Sequence, residues 1–334
     1  MTNIKKYSLD INESNLEVEV GRVANLANGS CVLTLGETVV LATASALNVP
    51  KEGIDFLPLT VDVQEKAYAL GKLPGGFFKR EGRPTTDATL VCRLIDRPLR
   101  PSFAEGFRCE TQIIATVLSV DNENEYDILS LNAASLGLQL AGVPLESPVG
   151  AVRMSLIEDN WVVQATNSEQ ENSIFDMVVA GKLNDSNEID IVMVEAGATD
   201  DAFEKIDAGS VAPSENIVAD GIDLSKEYIA TLINAQKELV GMNQVPVVEW
   251  PLVEDYSAEL KASIDGSYKT KVEEVMAITD RSERSEKQSE LQDQAVEEFT
   301  NDEEDNTKAI KLVIKSLVKS VVRDRVVAGG PRLD

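Results

Sequence analysis

An uncharged run over residues 128–145 constrains the fold of this chain more than any other segment. Because 26% of all residues are charged, eighteen consecutive positions without a charge are expected in a protein core. Besides leucine, the run contains the small or short polar residues Ala, Ser, Gly and Asn, which is typical of a tightly packed helix. No apolar run in the chain approaches the roughly 20 residues needed to cross a bilayer. The run therefore predicts a central core helix, and no membrane span is expected.

Short β-rich segments surround this predicted helix. Residues 16–20 alternate apolar and acidic side chains with a period of two, as a half-buried strand does. A turn at Asn28-Gly29 precedes predicted strands over 31–35 and 38–43. Further strands are predicted over 111–120, 148–156, 160–165, 175–180 and 189–195, and a helix around 224–241. Aromatic residues make up only 5% of the chain, which favours a layered α+β or α/β protein over an all-β one.

The character of the sequence changes after Trp250-Pro251. From about 255 to 328 it is rich in Glu, Lys, Ser and Ala and has almost no β signal. The last segment combines an apolar stripe at helical spacing with lysines outside the stripe, and Gly329-Gly330 ends it. The stripe is formed by Ile310, Val313, Ile314, Leu317, Val318, Val321 and Val322, and the lysines are Lys308, Lys311, Lys315 and Lys319. A length of 334 residues allows two domains, and the second is predicted to be all-helical.

The chain contains no histidine. This excludes Ser-His and Cys-His nucleophile pairs, histidine-ligated zinc and a histidine general base. The cysteines, Cys31, Cys92 and Cys109, have no paired spacing and are expected to be buried and reduced. The first residues lack the apolar stretch of a signal peptide, so a cytoplasmic location is expected.

Charge is distributed unevenly along the chain. The formal net charge is −26, yet residues 66–108 contain nine basic and four acidic residues. Such asymmetry is typical of an anion-binding patch on an acidic protein. A set of local salt bridges would give the same count, and charge alone leaves both interpretations open.

Two adjacent segments contain most of these basic residues. Residues 66–84 hold glycines and prolines among their charges and are predicted to form a long exposed loop. A helix is expected to follow, capped by Thr85 or Thr86 and ended or kinked by Pro98. On it Arg93, Arg97 and Arg100 share a face, at i, i+4 and i+7. Asp96 is placed to pair with Arg100.

These segments resemble a known family. The sequences LPGGFFKREGRP at 73–84, RLIDRPLRP at 93–101, FAEGF at 103–107 and IIATVLS at 113–119 closely resemble the first core domain of polynucleotide phosphorylases. These bacterial enzymes shorten RNA from its 3′ end with phosphate. The resemblance extends over the whole chain and is weakest around 200–250, where the family's Phe-Gly-His-Glu stretch is missing.

The resemblance implies an α+β fold. It predicts a ribonuclease PH-like core of mixed β-sheets with packed helices over residues 1–245, followed by a small all-helical linking domain over 246–330. The family continues with a second core and with KH and OB-fold RNA-binding modules, which are expected to be absent from this chain. The second core carries the chemistry, so Mg²⁺ and the co-substrate, inorganic phosphate, are expected to bind there.

The first core is expected to be catalytically silent. Where the active copy has a serine-rich phosphate loop, this chain has Glu125, Tyr126 and Asp127, and two carboxylates there would repel phosphate. Where the active copy has two metal-binding aspartates and a lysine, this chain has Ile174, Asp176 and Val178. No catalytic or metal-binding residue is therefore predicted, and Asp176 is interpreted as structural.

The resemblance assigns this half a role in guiding single-stranded RNA. Phe77, Phe78, Lys79 and Arg80 are expected to line the narrow neck of a homotrimer's central channel. Weaker candidates for RNA contact are Arg83, Arg93, Arg97 and Arg100. The implied activity is that of a polyribonucleotide nucleotidyltransferase, which degrades RNA to nucleoside diphosphates in mRNA turnover. An RNA-decay assembly is a candidate partner. The alternative is a catalytically silent, stand-alone RNA-binding or assembly module.

Overall fold

A computed structural model describes residues 4–11, 14–75, 77–243, 245, 248–300 and 306–333. They form two compact units, Met1–Leu252 and Val253–Asp334. Within the described residues, no helix combines the length and apolar character that spanning a membrane requires.

The first unit contains a six-stranded sheet. Its strands are β1 (Lys5–Ile11), β2 (Ser14–Val20), β3 (Gly29–Leu35), β4 (Thr38–Pro50), β5 (Leu59–Glu65) and β6 (Cys109–Ser119), in the order β1-β2-β3-β4-β6-β5. Neighbours are antiparallel except β5 and β6, which are parallel. Parallel neighbours need a crossover connection, and this one contains the loop over 66–84 and helix α1 (Thr86–Leu99).

A second, four-stranded antiparallel sheet completes the unit. It contains β7 (Val149–Ile157), β8 (Asn160–Val163), β9 (Ser173–Leu183) and β10 (Ile189–Ala198), in the order β10-β9-β7-β8. The short helix α3 (Asn167–Gln170) connects β8 to β9, and a second short helix, α4 (Ala202–Asp207), follows β10. The long helix α5 (Glu215–Met242) packs on β7 and β9. Helix α5 begins nine residues before the predicted start, where the Ser214 hydroxyl accepts a hydrogen bond from the Ile217 amide.

Helix α2 (Tyr126–Leu140) is the predicted central helix. It packs against β3 and β4 of the first sheet and β7 of the second, and almost all of its residues are buried. It ends before the uncharged run does, because Gly142 turns the chain with a φ of +69°. On the sheet below, Gly29 allows close approach: a Cβ there would lie 2.1 Å from the Gly137 carbonyl oxygen.

The second unit consists of three helices, α6 (Ala258–Met276), α7 (Arg281–Phe299) and α8 (Thr307–Val327). Ile264, Tyr268 and Val272 of α6 pack with Val313 and Ile314 of α8 in its core. The α+β core followed by a helical region confirms the predicted fold class.

All three cysteines are free thiols, as predicted. Cys31 and Cys109 are buried and Cys92 is half-buried. Burial raises the pKa of Cys31 to about 12, which leaves this thiol unreactive at neutral pH.

Candidate functional site

The loop over 66–84 presents two aromatic rings to solvent. Phe77 is 93% exposed and Phe78 is 77% exposed. Their ring centroids lie 5.4 Å apart with the planes nearly perpendicular, an edge-to-face arrangement that aromatic pairs favour. Leaving two large apolar side chains in water costs free energy, so the pair is suited to binding a flat, apolar partner.

Basic residues lie next to the aromatic pair in the sequence and along the same loop. Lys79 and Arg80 follow it directly and are exposed, and Lys79 has a φ of +49° in the left-handed region. A groove of about 580 Å³ lies along the loop. Its charged lining residues are Lys66, Lys72, Arg80 and Arg83, with Glu65 and Glu81. Four cations against two carboxylates make this groove attractive to anions.

The two carboxylates of the groove hold the loop in place. Glu65, at the end of β5, accepts hydrogen bonds from the hydroxyl of Thr85 and, at 2.6 Å, from that of Tyr126. Glu81 accepts one from the Ala67 amide at 3.0 Å. Thr85 also caps α1, as predicted. Burial and the hydrogen bond to Glu65 raise the pKa of Tyr126, so this hydroxyl remains a donor. Glu65 thus ties both ends of the loop to the start of α2.

The arginines of the following helix differ in their availability. The Arg100 guanidinium forms the predicted pair with Asp96, at 2.7 and 3.0 Å, and also donates to the carbonyls of Leu57 and Leu59. Arg93 is exposed. Arg97 is exposed too and has Glu195 at 3.9 Å, a weak surface pair. Of the three, Arg93 and Arg97 can turn toward a ligand without giving up buried interactions.

A second cluster lies at the start of α2. Arg153 of β7 forms ion pairs with both Asp127 of α2 and Asp176 of β9. The side chains are only 16%, 10% and 26% exposed, respectively. The Ser155 hydroxyl donates to Asp176 at 2.9 Å. These contacts give Asp176 a structural role in joining the second sheet to the central helix.

The electrostatics of this cluster favour the charged arginine. Burial alone would lower the pKa of Arg153, but Asp127 and Asp176 raise it further than burial lowers it. Nearby, burial and the charge of Asp127 raise the pKa of Glu125. Arg153 therefore acts as a resident cation between the carboxylates. Over the described part of the chain, no group of three or more His, Cys, Asp or Glu side chains is arranged to hold a metal ion.

Sequence reasoning missed Arg153, since its partners are 26 and 23 residues away along the chain. The available signal was a lone basic residue inside the otherwise uncharged strand segment 149–157. A charge in such a segment needs a buried partner.

Comparison with known proteins relates this arrangement to a family. The family model of the 3′ exoribonuclease family, domain 1 (RNase PH), matches residues 14–144. That of the polyribonucleotide nucleotidyltransferase RNA-binding domain matches residues 259–334.

Curated relatives match along almost the whole chain. Polyribonucleotide nucleotidyltransferase of Mycobacteroides abscessus is 44% identical over 323 residues, covering 96% of this chain and 43% of the relative. The enzyme of Corynebacterium kroppenstedtii is 41% identical over 354 residues, covering 97% of this chain and 46% of the relative. The chain thus spans less than half the length of these relatives. The crystal structure of rice (Oryza sativa) Rrp46 aligns over 72% of this chain and 95% of the rice chain, with a TM-score of 0.49 and 12% sequence identity. From the two family models and the identity to these relatives, we conclude that this chain belongs to the polyribonucleotide nucleotidyltransferase family.

Proposed function

We propose that this chain is part of a phosphate-dependent 3′-to-5′ exoribonuclease, and that its own contribution is to guide single-stranded RNA. The observation that carries the proposal is the exposed Phe77–Phe78 pair next to Lys79 and Arg80. Aromatic rings stack on any base, each contributing about 1–3 kcal/mol, and cations beside them neutralise phosphates. A processive exonuclease needs such sequence-independent binding.

The basic groove extends this surface. Arg83 lines it with Arg80, and Arg93 and Arg97 lie on the helix that follows the loop. Arg100 would contribute least, because its donors are engaged with Asp96 and two backbone carbonyls. The match of residues 259–334 to a family model described as an RNA-binding domain supports RNA contact by the helical unit as well.

We place the chemistry outside this chain. Arg153 fills the space between Asp127 and Asp176, and a permanent cation there cannot exchange for a metal ion or activate phosphate. Mg²⁺ and inorganic phosphate are then held by a second core, and RNA is released as nucleoside diphosphates. A homotrimer acting in cytoplasmic mRNA turnover, within an RNA-decay assembly, is the setting this proposal implies. In this setting residues 1–245 are the first core and 246–330 the linking domain.

The test compares binding and turnover by the 334-residue chain. Binding of a 5′-labelled single-stranded RNA is measured for the unaltered chain and for Phe77→Ala/Phe78→Ala. The matched control is Phe56→Ala/Phe203→Ala, which removes two other exposed rings, 59% and 83% exposed. We expect Phe77→Ala/Phe78→Ala to bind the RNA at least about tenfold more weakly than the unaltered chain does. The control variant should bind as tightly as the unaltered chain.

Turnover is followed as phosphate-dependent release of nucleoside diphosphates with Mg²⁺ present. We expect none from this chain alone. Equal binding by both variants would refute the guiding role, and diphosphate release would refute the assignment of chemistry to another part of the enzyme.

A further inference from the structure

Helix α8 presents a continuous cationic face. Five of its six basic residues are exposed and recur every three or four positions: Lys308, Lys311, Lys315, Lys319 and Arg323. At 100° per residue they fall within one third of the helix circumference. The buried apolar residues Ile310, Val313, Ile314, Leu317 and Val321 lie on the opposite side. Successive cations are about 6 Å apart along the axis, a spacing comparable to that of the phosphates of an extended strand.

The charge of this helix differs from that of its surroundings. Helix α8 contains six basic residues and one acidic residue, Asp324. The other residues from 253 to 334 contain seven basic and eighteen acidic residues. An ordinary solvated helix surface mixes the two signs. In a chain with a net charge of −26, a helix with a strong excess of positive charge is expected to attract anions.

Several cations of the neighbouring helices are engaged by other side chains. Lys261 pairs with Asp265, Lys287 pairs with Glu290 at 3.0 Å, and Lys271 lies 4.3 Å from the centre of the Tyr268 ring. By contrast, no described residue forms an ion pair with any of the five cations on the exposed face of α8. The sixth, Arg325, points elsewhere and donates to the Met276 carbonyl at 2.6 Å.

We propose that this face of α8 binds the phosphate backbone of single-stranded RNA. The proposal rests on the guiding function above and names a second contact surface for it. Lysine ammonium groups act as hydrated point charges on phosphates, and no aromatic side chain lies within α8 to stack on bases. Binding here is therefore electrostatic, whereas binding at the Phe77–Phe78 pair adds stacking on the bases.

The test replaces the central lysines in Lys311→Gln/Lys315→Gln/Lys319→Gln. Lys308 is left unchanged, because the sequence places four acidic residues at 302–305 just before it. The matched control, Lys261→Gln/Lys271→Gln/Lys287→Gln, changes the net charge equally on α6 and α7. All substituted lysines are on the protein surface, and circular dichroism verifies that both variants fold.

The readout is the binding of a fluorescein-labelled 20-nucleotide oligo(A) at 50–300 mM KCl. Each phosphate contact on a single strand contributes about 0.7 to the slope of log K against log salt. Losing three contacts should reduce the slope by about 2 and weaken binding about 10- to 100-fold near 0.1 M salt. The control should keep the slope, and oligo(U) should give the same differences as oligo(A).

The outcomes separate this inference from the proposed function. If Phe77→Ala/Phe78→Ala weakens binding while the α8 variant behaves like its control, the α8 face is not a contact surface and the guiding function stands. If the unaltered chain does not bind RNA, or no variant weakens binding, both are wrong. If polyglutamate competes as well as unlabelled oligo(A), the face serves an acidic protein and the RNA assignment is overturned.

Discussion

Replacing Arg153 by methionine should destabilise the first unit strongly. The substitution keeps much of the side-chain volume but leaves the carboxylates of Asp127 and Asp176 without their shared cation. All three side chains are largely buried, and removing one partner of a buried ion pair costs about 3–5 kcal/mol. Because Arg153 serves two carboxylates, we expect the upper part of this range. The hydrogen bonds from the Ile128 amide to Asp127 and from Ser155 to Asp176 remain and limit the loss.

The assay can follow the first unit alone. Both tryptophans, Trp161 and Trp250, precede residue 253, so tryptophan fluorescence during unfolding reports on this unit. A loss of about 4–5 kcal/mol corresponds to a fall in Tm of about 8–20 °C. Lys182→Met is the matched control, since Lys182 pairs at 2.8 Å with Glu146, whose side chain is 53% exposed. Its expected cost is below about 1 kcal/mol.

A further variant tests the reason for the loss. Adding Asp127→Asn and Asp176→Asn to Arg153→Met removes the uncompensated charges and should restore much of the stability. A loss for Arg153→Met no larger than that of the control, or no recovery in the triple variant, would refute the resident-cation argument.

Three other perturbations have defined outcomes. Burial raises the pKa of Glu125 above its ordinary value of 4.5, so the ionised carboxylate destabilises the folded state at pH values above 4.5. Glu125→Gln should therefore raise the free energy of unfolding at pH 7 and leave it unchanged at pH 4. Gly29→Ala should lower the free energy of unfolding, measured in urea, by at least about 2 kcal/mol, because the added Cβ would meet the backbone of α2. The control Gly241→Ala should not lower it, because a Cβ there has no atom within 4 Å. Glu65→Ala should speed trypsin cleavage within the loop over 66–84, and Glu65→Gln, which still accepts hydrogen bonds from Thr85 and Tyr126, should restore protection.

Patterns with local causes could be read from the sequence. The uncharged run predicted α2, period-two alternation predicted β2, and the spacing of Asp96 and Arg100 predicted their ion pair. The start of α5 was missed because residues 215–223 mix polar and apolar positions, and the Ser214 cap fixes the helix there only in the folded chain.

The candidate site likewise contains one feature with a local cause and one that depends on long-range contacts. The exposure of the Phe77–Phe78 pair follows from its place in a loop rich in glycine and proline. The cluster around Arg153 depends on register between β7 and β9, which sets Ser155 opposite Asp176 and Arg153 opposite Val178. Register is determined by long-range pairing, so sequence spacing cannot supply it.

The parallel pairing of β5 and β6 has an evolutionary consequence. The crossover between them is completed by α1, and the aromatic pair lies in the loop ahead of that helix, whose base is closed by Glu65 and Thr85. The start of the loop belongs to the core, because Ala69 is buried and its carbonyl accepts a hydrogen bond from the Val120 amide. A change in the length of residues 72–83 would therefore leave the core and the strand order in place, so one scaffold can acquire or lose the aromatic pair. By the same reasoning, a short glycine-serine bridge in place of residues 72–83 should yield a folded chain without Phe77 and Phe78.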